Sequence, residues 1–464
     1  MLFSSLTFLC CFLPLVVIIY FLIPLVARNL FLLISSLIFY AWGEPRYLFL
    51  MLFVILWNYI AGIVIDKIKI ELKKIVCICS VLVNIGILCN YKYIDFFIDN
   101  INYFFNQHLE LYNVVLPIGI SFYIFQSLSY TIDVYRCVVP AQYNLLKFAL
   151  YVSLFPQLVA GPIVKYKDVM QYLEHRNETI DDVVYGLRRF IVGLGKKVIL
   201  ANTMGEVADK IFSSGPSDIS VSIAWLGAVA FTLQVFYDFS GYSDMAIGLG
   251  RIFGFKFQEN FNYPYVSVTM TELWQRWHMS LTTWFKDYVY IPLGGSRVSN
   301  FRHNMNILLI FLATGIWHGA NWTFIVWGLW NGLFLLIEKK LGLVKKKFSG
   351  NIRLLMHAYV LIVFIVEAVF FRSDSLSIAL QYLGVMFYIN VNDYIPFDFM
   401  YYFNSKIAFI GLFAILFCKK WNYDKWEKNK YYLIFRDIVL ILVLITSMSF
   451  IAASGYISFI YFKF

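Results

Sequence analysis

The sequence predicts an all-α protein that crosses a membrane many times. The chain has 464 residues, of which 61% are hydrophobic and 14% are charged, with a mean hydropathy of +0.71. Soluble domains are about half apolar and about a quarter charged, so the excess apolar surface has to face lipid. Several apolar stretches also approach the ~20 residues that a helix needs to cross the hydrocarbon core.

The apolar stretches give the order of the predicted spans. The first lacks the basic n-region and the A-x-A cleavage site of a signal peptide, so we expect it to be retained as a span. The shorter stretch 29–41 supplies a further crossing. The candidate spans are 2–26, 47–65, 75–90, 113–132, 221–239, 354–371, 401–418 and 438–462.

Basic clusters predict the orientation of these spans. The net charge is +10, and Lys and Arg are concentrated at 66–74, 338–353 and 419–436. Loops rich in Lys and Arg stay in the cytoplasm, which places both the N- and the C-terminus on the extracytoplasmic side. Because the clusters border predicted spans, they indicate topology and do not indicate a nucleic-acid partner.

Three regions do not match simple spans. Residues 183–202 carry four basic residues in an amphipathic pattern, which is typical of an interfacial or re-entrant helix. Residues 237–300 mix polar and aromatic residues, and residues 305–337 are apolar but interrupted by the polar, glycine-rich "GIWHGANW"; seven of the twelve tryptophans fall within 274–330. Polar or irregular backbone at membrane depth is tolerated only inside protein or beside a cavity. We therefore expect one membrane domain, 1–464, with 237–337 as its wet core.

The first candidate for chemistry is His278, in "TMTELWQRWHMSLTTWFKDYVYIPLGGSR" (269–297). The capping box Thr269-x-x-Glu272 begins a predicted helix over about 270–290, and Pro292 with two glycines ends it. At helical spacing, an aromatic stripe runs beside a polar one, with His278 between them. The alternative is an amphipathic surface helix with a solvated histidine, although such a helix has no use for three tryptophans.

The second candidate is His318, in "ATGIWHGANWTF" (313–324). If 313–323 is helical, Gly315 and Gly319 share a face with His318 and allow another backbone or a thin ligand to approach. The alternative is a structural histidine bonded to a neighbouring carbonyl. An ionisable residue within the membrane is a functional candidate by default, so we favour a functional His318.

Other kinds of site lack support in the sequence. The seven cysteines are scattered and have no zinc, redox or disulfide spacing. No HExxH motif, phosphate-binding loop or Gly-x-Ser-x-Gly elbow occurs, so we expect no metal, no ATP site and no serine acyl-enzyme. What remains is a pair of histidines, and imidazole is the usual group for taking a proton from a hydroxyl near neutral pH.

Two further groups have open interpretations. Asp238, Ser240, Tyr242 and Asp244 in "YDFSGYSD" line a path for the acceptor or, equally, hold helices together by hydrogen bonds. Glu367 and Arg372, near the end of a span, are expected to pair with each other or to extend towards the interface.

Several motifs together resemble one family. "WQRWHMSLTTWFKDYVYIPLGGSR" and "ATGIWHGANWTFIVWGLWNG" resemble the membrane-bound O-acyltransferase (MBOAT) superfamily, and its bacterial alginate O-acetyltransferase branch most of all. Further motifs match that branch in order along the chain: "LPIGISFYIFQSLSYTIDVYR" (116–136), "FPQLVAGPI" (155–163), "YDFSGYSDMAIGLGRIFGF" (237–255), "NFNYPY" (260–265) and "FFRS" (370–373).

The resemblance implies a fold and a site. The fold is a ring of about 10–12 transmembrane helices with re-entrant or interfacial helices around a thin central funnel. His318 matches the family's catalytic histidine, and His278 matches a second position that is His or Asn. Gln275 stands where the branch often has an arginine. The residues expected to bind substrate are Trp277, Arg276, Asp287, Trp317, Asn321, Asp238, Ser240 and Tyr242.

The resemblance also implies a reaction. An acetyl group passes from a cytoplasmic thioester, either acetyl-CoA or another acyl thioester, to hydroxyls of an extracytoplasmic polysaccharide or peptidoglycan, with no bound cofactor. An SGNH hydrolase-like acetyltransferase in the periplasm or on the surface is the expected partner, and the bacterial inner membrane is the expected location. The alternatives are D-alanyl or longer-acyl transfer and, in a different class, a non-enzymatic glycan transporter or flippase.

Overall fold

The fold is helical throughout the part of the chain that the structure describes. The structure is a computed structural model, and it describes residues 1–389, 395–421, 426, 429–453 and 456. It is 76% helical and has no strand within those residues, so the predicted all-α class is confirmed. The chain divides into two compact units, Met1–Phe190 with Ser243–Gln258, and Ile191–Tyr242 with Glu259–Phe464.

The first unit is a set of apolar helices joined by buried polar contacts. Asn58 donates to Asn84 Oδ1 at 3.1 Å and accepts from the Thr131 hydroxyl at 2.9 Å, which links three helices. Its helices are α1 (Leu13–Leu22), α2 (Leu25–Gly43), α3 (Leu48–Lys67), α4 (Ile70–Leu88), α5 (Ile94–Phe105), α6 (Ile120–Tyr135), α7 (Leu145–Ser153), α8 (Phe155–Leu158), α9 (Tyr166–Glu174) and most of α10 (Ile180–Gly195), with π-helical Phe8–Phe12 and Cys89–Tyr93.

The second unit contains both candidate histidines and every other residue that the sequence analysis assigned to the site except Asp244, which lies in the first unit. Its helices are α11 (Asn202–Ser214), most of α12 (Val221–Ile252), α13 (Met270–Arg276), α14 (Met279–Phe285), α15 (Asn300–His318), α16 (Trp322–Lys340), α17 (Gly350–Arg372), α18 (Leu376–Met386), α19 (Phe399–Tyr402), α20 (Ser405–Leu416) and α21 (Lys430–Ala453). Shorter pieces are π-helical Lys196–Ala201 and Lys286–Tyr290, and the 3₁₀ turns Pro216–Asp218, Pro264–Val266 and Leu343–Lys345.

Six helices within the described residues are long and apolar enough to cross a membrane, which confirms a polytopic membrane protein. They are Leu25–Gly43, Leu48–Lys67, Ile70–Phe105, Val221–Ile252, Gly350–Arg372 and Lys430–Ala453.

Several predicted span boundaries are wrong. The stretch 2–26 is broken at Ile23, whose backbone is extended. The cause is Pro24, which disfavours helical backbone in the residue before it and stands as the N-cap of α2. The long helix is therefore Leu25–Gly43, and the helix before it is short. The helix predicted within 113–132 begins only at Ile120. The end of the predicted span 438–462 is not tested, because the structure describes this segment within the helix Lys430–Ala453 and most of the rest lies outside the described residues.

The amphipathic segment 183–202 is part of a long continuous helical run. Helix α10 passes into the π-helical segment Lys196–Ala201 and then into α11 without a break. One of its basic residues, Lys197, is only 2% exposed and forms an ion pair with Asp238 of α12, which is 2% exposed as well. The amphipathic pattern predicted that this lysine lies on a solvated polar face, and the structure buries it instead.

Helices α15 and α16 form a hairpin in direct backbone contact. A Cβ atom added at Gly315 would lie 2.3 Å from the carbonyl oxygen of Phe324, and one at Gly328 would lie 2.4 Å from that of Phe311. Both distances are far below van der Waals contact. Gly315 therefore serves the approach of a second backbone, which was one of the two interpretations of the small residues beside His318.

Candidate active site

The short helix α13 is fixed at its first turn by side chains that accept hydrogen bonds from its backbone N–H groups. As the capping box predicts, the Thr269 hydroxyl accepts from the Glu272 backbone N–H at 3.0 Å. Glu338 of α16 adds a second anchor, because its carboxylate accepts from the backbone N–H groups of Met270 and Thr271. Negative side chains are favourable at a helix N-terminus. The capping start is confirmed, and α13 is tied to α16.

The predicted single helix over about 270–290 is wrong. Helix α13 ends at Arg276, α14 begins at Met279, and His278 between them has φ of 42°, in the left-handed region. The break has a long-range cause. The Asn260 carbonyl accepts from the Met279 N–H at 2.9 Å, which draws the chain away from the helical path. The two stripes of the sequence analysis therefore do not share one helix.

Asn260 also surrounds the His278 ring with polar contacts. Its side-chain oxygen lies 3.1 Å from His278 Nδ1 and accepts from the Ser280 backbone N–H at 3.2 Å and hydroxyl at 2.9 Å. Asn260 is completely buried, and His278 is 2% exposed. A histidine in this setting is held by a side chain and is not the solvated residue of a surface helix.

Aromatic rings also lie beside the His278 ring. The ring of Phe239 lies 4.5 Å from the imidazole, centroid to centroid, and that of Trp317 lies 6.0 Å away. His278 Nε2 is buried and has no hydrogen-bond partner within the described residues. This nitrogen therefore keeps a hydrogen-bonding capacity that the described residues do not use.

His318 is the last residue of α15 and not a mid-helix residue. Gly319 has extended backbone (φ of −174°, ψ of 161°), so the continuous helix over 313–323 that the sequence analysis considered does not form. The position requires glycine because a Cβ there would meet the Phe324 ring at 2.3 Å. The loop leaves the His318 imidazole at a helix end, 5% exposed.

Aromatic rings surround His318. Its ring centroid lies 5.0 Å from those of Trp317 and Trp327 and 5.2 Å from that of Phe371. Trp317 thus contacts both imidazoles, since it also lies beside His278. The structure brings the two predicted catalytic residues and Trp317 into one buried cluster.

Trp277 packs into the aromatic core beside this cluster. Its ring centroid lies 5.1 Å from that of Phe261 and 5.2 Å from that of Phe364, and Phe236 and Tyr265 are about as close, at 6.1 and 6.0 Å. The residue is 6% exposed. Trp277 therefore forms a wall behind His278.

Arg276 and Asn321 have structural partners. Arg276 pairs with Glu272 at 2.8 Å and donates to the Asn262 carbonyl at 3.1 Å. Asn321 caps α16 by accepting from the Thr323 N–H at 3.0 Å, and it donates to a carbonyl after α17 at 2.8 Å. These contacts give both residues a role in holding the site. Asp287, also predicted to bind substrate, is half-buried in the π-helical segment after α14.

The α12 residues point in two directions. Asp238 pairs with Lys197 on the side where α12 meets the α10–α11 run. Phe239 turns instead towards His278. Ser240 and Tyr242 are both 2% exposed, and the Ser240 hydroxyl has no hydrogen-bond partner within the described residues.

The expected pairing of Glu367 with Arg372 is wrong. Arg372 pairs with Asp209 at 2.7 Å. Glu367 is 1% exposed and lies beside Asn331 and Trp327. Trp327 is one of the rings around His318, so Glu367 belongs to the layer that supports this cluster.

Asn260 is the functional candidate that sequence reasoning missed. It is the first residue of "NFNYPY", a motif that carried the resemblance but was assigned no role. Its distance from His278 along the chain hid the contact. The signal that was available is its place at the start of this motif, and the structure adds that the amide is buried and therefore needs partners.

The cluster has the elements of acid–base chemistry in a buried, largely aromatic environment. Two imidazoles flank one tryptophan, and the Nε2 atom of His278 has no hydrogen-bond partner within the described residues. Polar interactions with a bound molecule are stronger in such an environment than in water. Within the described residues, no group of three or more His, Cys, Asp or Glu could hold a metal ion.

Comparison with known proteins identifies the family. The MBOAT (membrane-bound O-acyltransferase) family model matches residues 70–366. The chain is 43% identical over 393 residues to the "Probable alginate O-acetylase AlgI" of Azotobacter vinelandii, covering 83% of this chain and 78% of that protein. It is 33% identical over 521 aligned residues to the peptidoglycan O-acetyltransferase of Helicobacter pylori, covering 100% and 98%.

A more distant relative covers half of the chain. The teichoic acid D-alanyltransferase of Streptococcus thermophilus is 28% identical over 238 residues, covering 48% of this chain and 56% of that protein. The family model alone covers well over half of the chain. The chain belongs to the membrane-bound O-acyltransferase family and is an O-acyltransferase.

Proposed function

We propose that the chain transfers an acetyl group from a cytoplasmic thioester to hydroxyls of an extracytoplasmic polysaccharide or peptidoglycan. The observation that carries the proposal is the buried cluster of His278, Trp317 and His318. The cluster occurs in a chain similar to an alginate O-acetylase and to a peptidoglycan O-acetyltransferase. Both relatives esterify glycans with acetate, according to their names.

His318 is the proposed general base. It takes the proton of the acceptor hydroxyl as the hydroxyl oxygen forms a bond to the acyl carbon of the thioester. The C–S bond then breaks, and the proton passes to the departing thiolate, so an ester and a thiol are the products. General base catalysis of this kind typically contributes about 10²–10⁴-fold to the rate.

His278 has two possible roles in this scheme. It positions the acceptor hydroxyl, or it stabilises negative charge on the thioester carbonyl. Trp317 and Trp277 form the walls of the site in either case. For Asp238, Arg276 and Asn321, the ion pairs and the helix cap favour the structural alternative over contact with substrate.

The donor, the partner and the location complete the proposal. The donor is acetyl-CoA or another acyl thioester, used as a substrate and not as a bound cofactor. An SGNH hydrolase-like acetyltransferase on the outer side passes the acetyl group to the polymer. The chain lies in the bacterial inner membrane with both termini outside, because the basic clusters at 66–74, 338–353 and 419–436 favour the cytoplasm.

Two other functions remain to be separated from this one. D-alanyl transfer is favoured by the similarity to a teichoic acid D-alanyltransferase, although that similarity covers only 48% of the chain. A glycan flippase would use the same spans without thioester chemistry, and the family membership argues against it.

Thioester turnover by the purified protein tests the proposal. The wild type is incubated with acetyl-CoA, and the free thiol released is measured over time. We expect His318→Ala to lower the rate at least a hundredfold while its thermal unfolding stays close to that of the wild type. His175→Ala, at an exposed histidine, is the matched control and should keep full activity. Equal turnover by His318→Ala would refute the assignment of the base.

A further inference from the structure

We infer that Asn260 is a positioning residue that fixes His278 in the neutral tautomer protonated at Nδ1, so that Nε2 accepts a hydrogen bond from the acceptor hydroxyl. The inference rests on the proposed function and selects between the two roles left open for His278. It assigns His278 to the acceptor hydroxyl and not to the thioester carbonyl.

The first step is the orientation of the Asn260 amide. One of its two terminal atoms lies 3.2 Å from the backbone nitrogen of Ser280. A backbone N–H can only donate, so the facing atom must be the oxygen. The opposite orientation would set an NH₂ group against this N–H. The amide orientation is therefore assigned by a donor whose role is fixed.

The second step is the proton on His278. The same Asn260 oxygen lies 3.1 Å from Nδ1 of the imidazole. An unprotonated Nδ1 would place two acceptors against each other at this distance. The Ser280 hydroxyl does not remove the conflict, because it donates to the Asn260 oxygen at 2.9 Å and lies 3.4 Å from Nδ1. The hydrogen-bond network therefore assigns the proton to Nδ1.

The third step is the chemistry left at the other nitrogen. A neutral imidazole carries one proton, so a proton on Nδ1 makes Nε2 an acceptor. This Nε2 atom is buried without a hydrogen-bond partner within the described residues. A buried acceptor is costly unless a donor reaches it, and a hydroxyl is a donor. A carbonyl oxygen is an acceptor and not a donor. To stabilise negative charge on the thioester carbonyl, His278 would need a proton on Nε2.

The fourth step is the backbone that presents the ring. His278 has φ of 42°, a conformation that non-glycine residues rarely adopt and that occurs often at functional sites. Asn260 supports it twice, through its own carbonyl to the Met279 N–H at 2.9 Å and through its side chain to Ser280. One loop residue therefore sets both the direction and the tautomer of the imidazole.

The surroundings leave this assignment undisturbed. From α12, Phe239 faces the ring, and from α15, Trp317 does. Within the described residues, the titratable group that acts electrostatically on His278 is His318. Neither a second imidazole nor the aromatic rings would hold a proton on Nε2 as a carboxylate would.

The tautomer can be measured without any substrate. Protein labelled with ¹⁵N-histidine carries six labelled rings, and the signals lost in His278→Gln belong to His278. We expect the wild-type spectrum to show a protonated Nδ1 and an unprotonated Nε2. In Asn260→Leu this preference should disappear, whereas Asn262→Leu, at an exposed position of the same loop, should keep it. A wild-type His278 protonated at Nε2 would overturn the inference.

The pH dependence of turnover gives the second test, with acetyl-CoA as the donor. In Asn260→Asp the carboxylate keeps the Nδ1 contact but stabilises the imidazolium, which raises the pKa of His278 and removes the acceptor at low pH. We therefore expect the acidic limb of kcat to move to higher pH by about one unit or more, with activity recovering above it. Asn262→Asp is the matched control and should leave the profile unchanged.

A purely structural Asn260 gives a different result. It predicts that Asn260→Asp lowers kcat by the same factor at every pH, or not at all, and either outcome overturns the inference. Asn260→Leu should lower kcat about tenfold or more, since an imidazole in the wrong tautomer is a poor catalyst. If the wild type turns over neither acetyl-CoA nor another acetyl thioester, the proposed function fails, while the ¹⁵N spectrum still decides the tautomer.

Discussion

The buried ion pair between Lys197 and Asp238 offers a sharp test of how α12 is held. Both side chains are 2% exposed. Asp238→Asn removes the carboxylate and leaves the ammonium buried without its counter-charge. Removing one partner of a buried pair costs about 3–5 kcal/mol, because the remaining charge is desolvated and uncompensated. We therefore expect a large loss of stability from this near-isosteric change.

The assay is thermal unfolding of the purified protein in detergent. A loss of this size should lower the midpoint by about 5–10 °C. Glu174→Gln is the matched control, because it breaks the pair with Lys147 in which Glu174 is 48% exposed. Exposed pairs contribute about 1 kcal/mol or less, so its midpoint should stay close to that of the wild type.

A double variant distinguishes the contribution of the ion pair to stability from a role of Asp238 in binding substrate. Lys197→Met with Asp238→Leu replaces the ion pair by apolar side chains, a change that is often neutral or stabilising. It should recover most of the lost midpoint and keep thioester turnover. A stable double variant without activity would instead place Asp238 on the substrate path. An Asp238→Asn variant as stable as the wild type would refute the reasoning from burial.

Three further changes test the supports of the site. Gly315→Ala places a Cβ 2.3 Å from the carbonyl oxygen of Phe324, so it should force α15 and α16 apart and lower both the unfolding midpoint and turnover. The control is Gly86→Ala, at a helical glycine with nothing within 4 Å of its added Cβ, and it should be neutral or slightly stabilising. Equal effects of the two changes would contradict the close packing of α15 and α16. Asn321→Ala should cost about 1 kcal/mol through loss of a helix cap with little change in turnover, and Asn321→Ser should recover most of it; a hundredfold loss of turnover in a stable Asn321→Ala variant would show contact with substrate. Glu338→Gln weakens the anchor of α13 and should cost about 1–3 kcal/mol, measured by the same unfolding assay; an unchanged midpoint would show that the carboxylate is dispensable.

Local rules predicted the parts of this molecule that local interactions determine. The excess of apolar residues predicted a helical membrane protein, because lipid leaves the backbone few alternatives. The capping box at Thr269 predicted the start of α13 within a residue, since both of its partners lie within one turn. The motifs around His278 and His318 predicted the family.

The breaks in the helices could not be predicted in the same way. The helical period continues through His278, and the chain leaves it because Asn260, far away in sequence, binds the Met279 backbone. Helix α15 likewise ends at His318, where the Phe324 ring, from the next helix, packs against Gly319. Tertiary contacts overrode local propensity at both catalytic candidates, which is typical of functional sites. Lys197 was misjudged for a related reason, since only the fold brings Asp238 to it.

The central claim is that His318 drives esterification of an extracytoplasmic glycan. The most direct measurement is ester-linked acetate on isolated cell-wall and secreted glycan fractions from a strain that lacks its own copy of this gene. The strain is complemented with the wild type, with His318→Ala, or with His175→Ala as the control, at equal amounts of protein in the membrane. We predict that the wild type and the control restore acetate on one fraction and that His318→Ala restores none. Acetate restored by His318→Ala, or unchanged by the wild type in every fraction, would contradict the account.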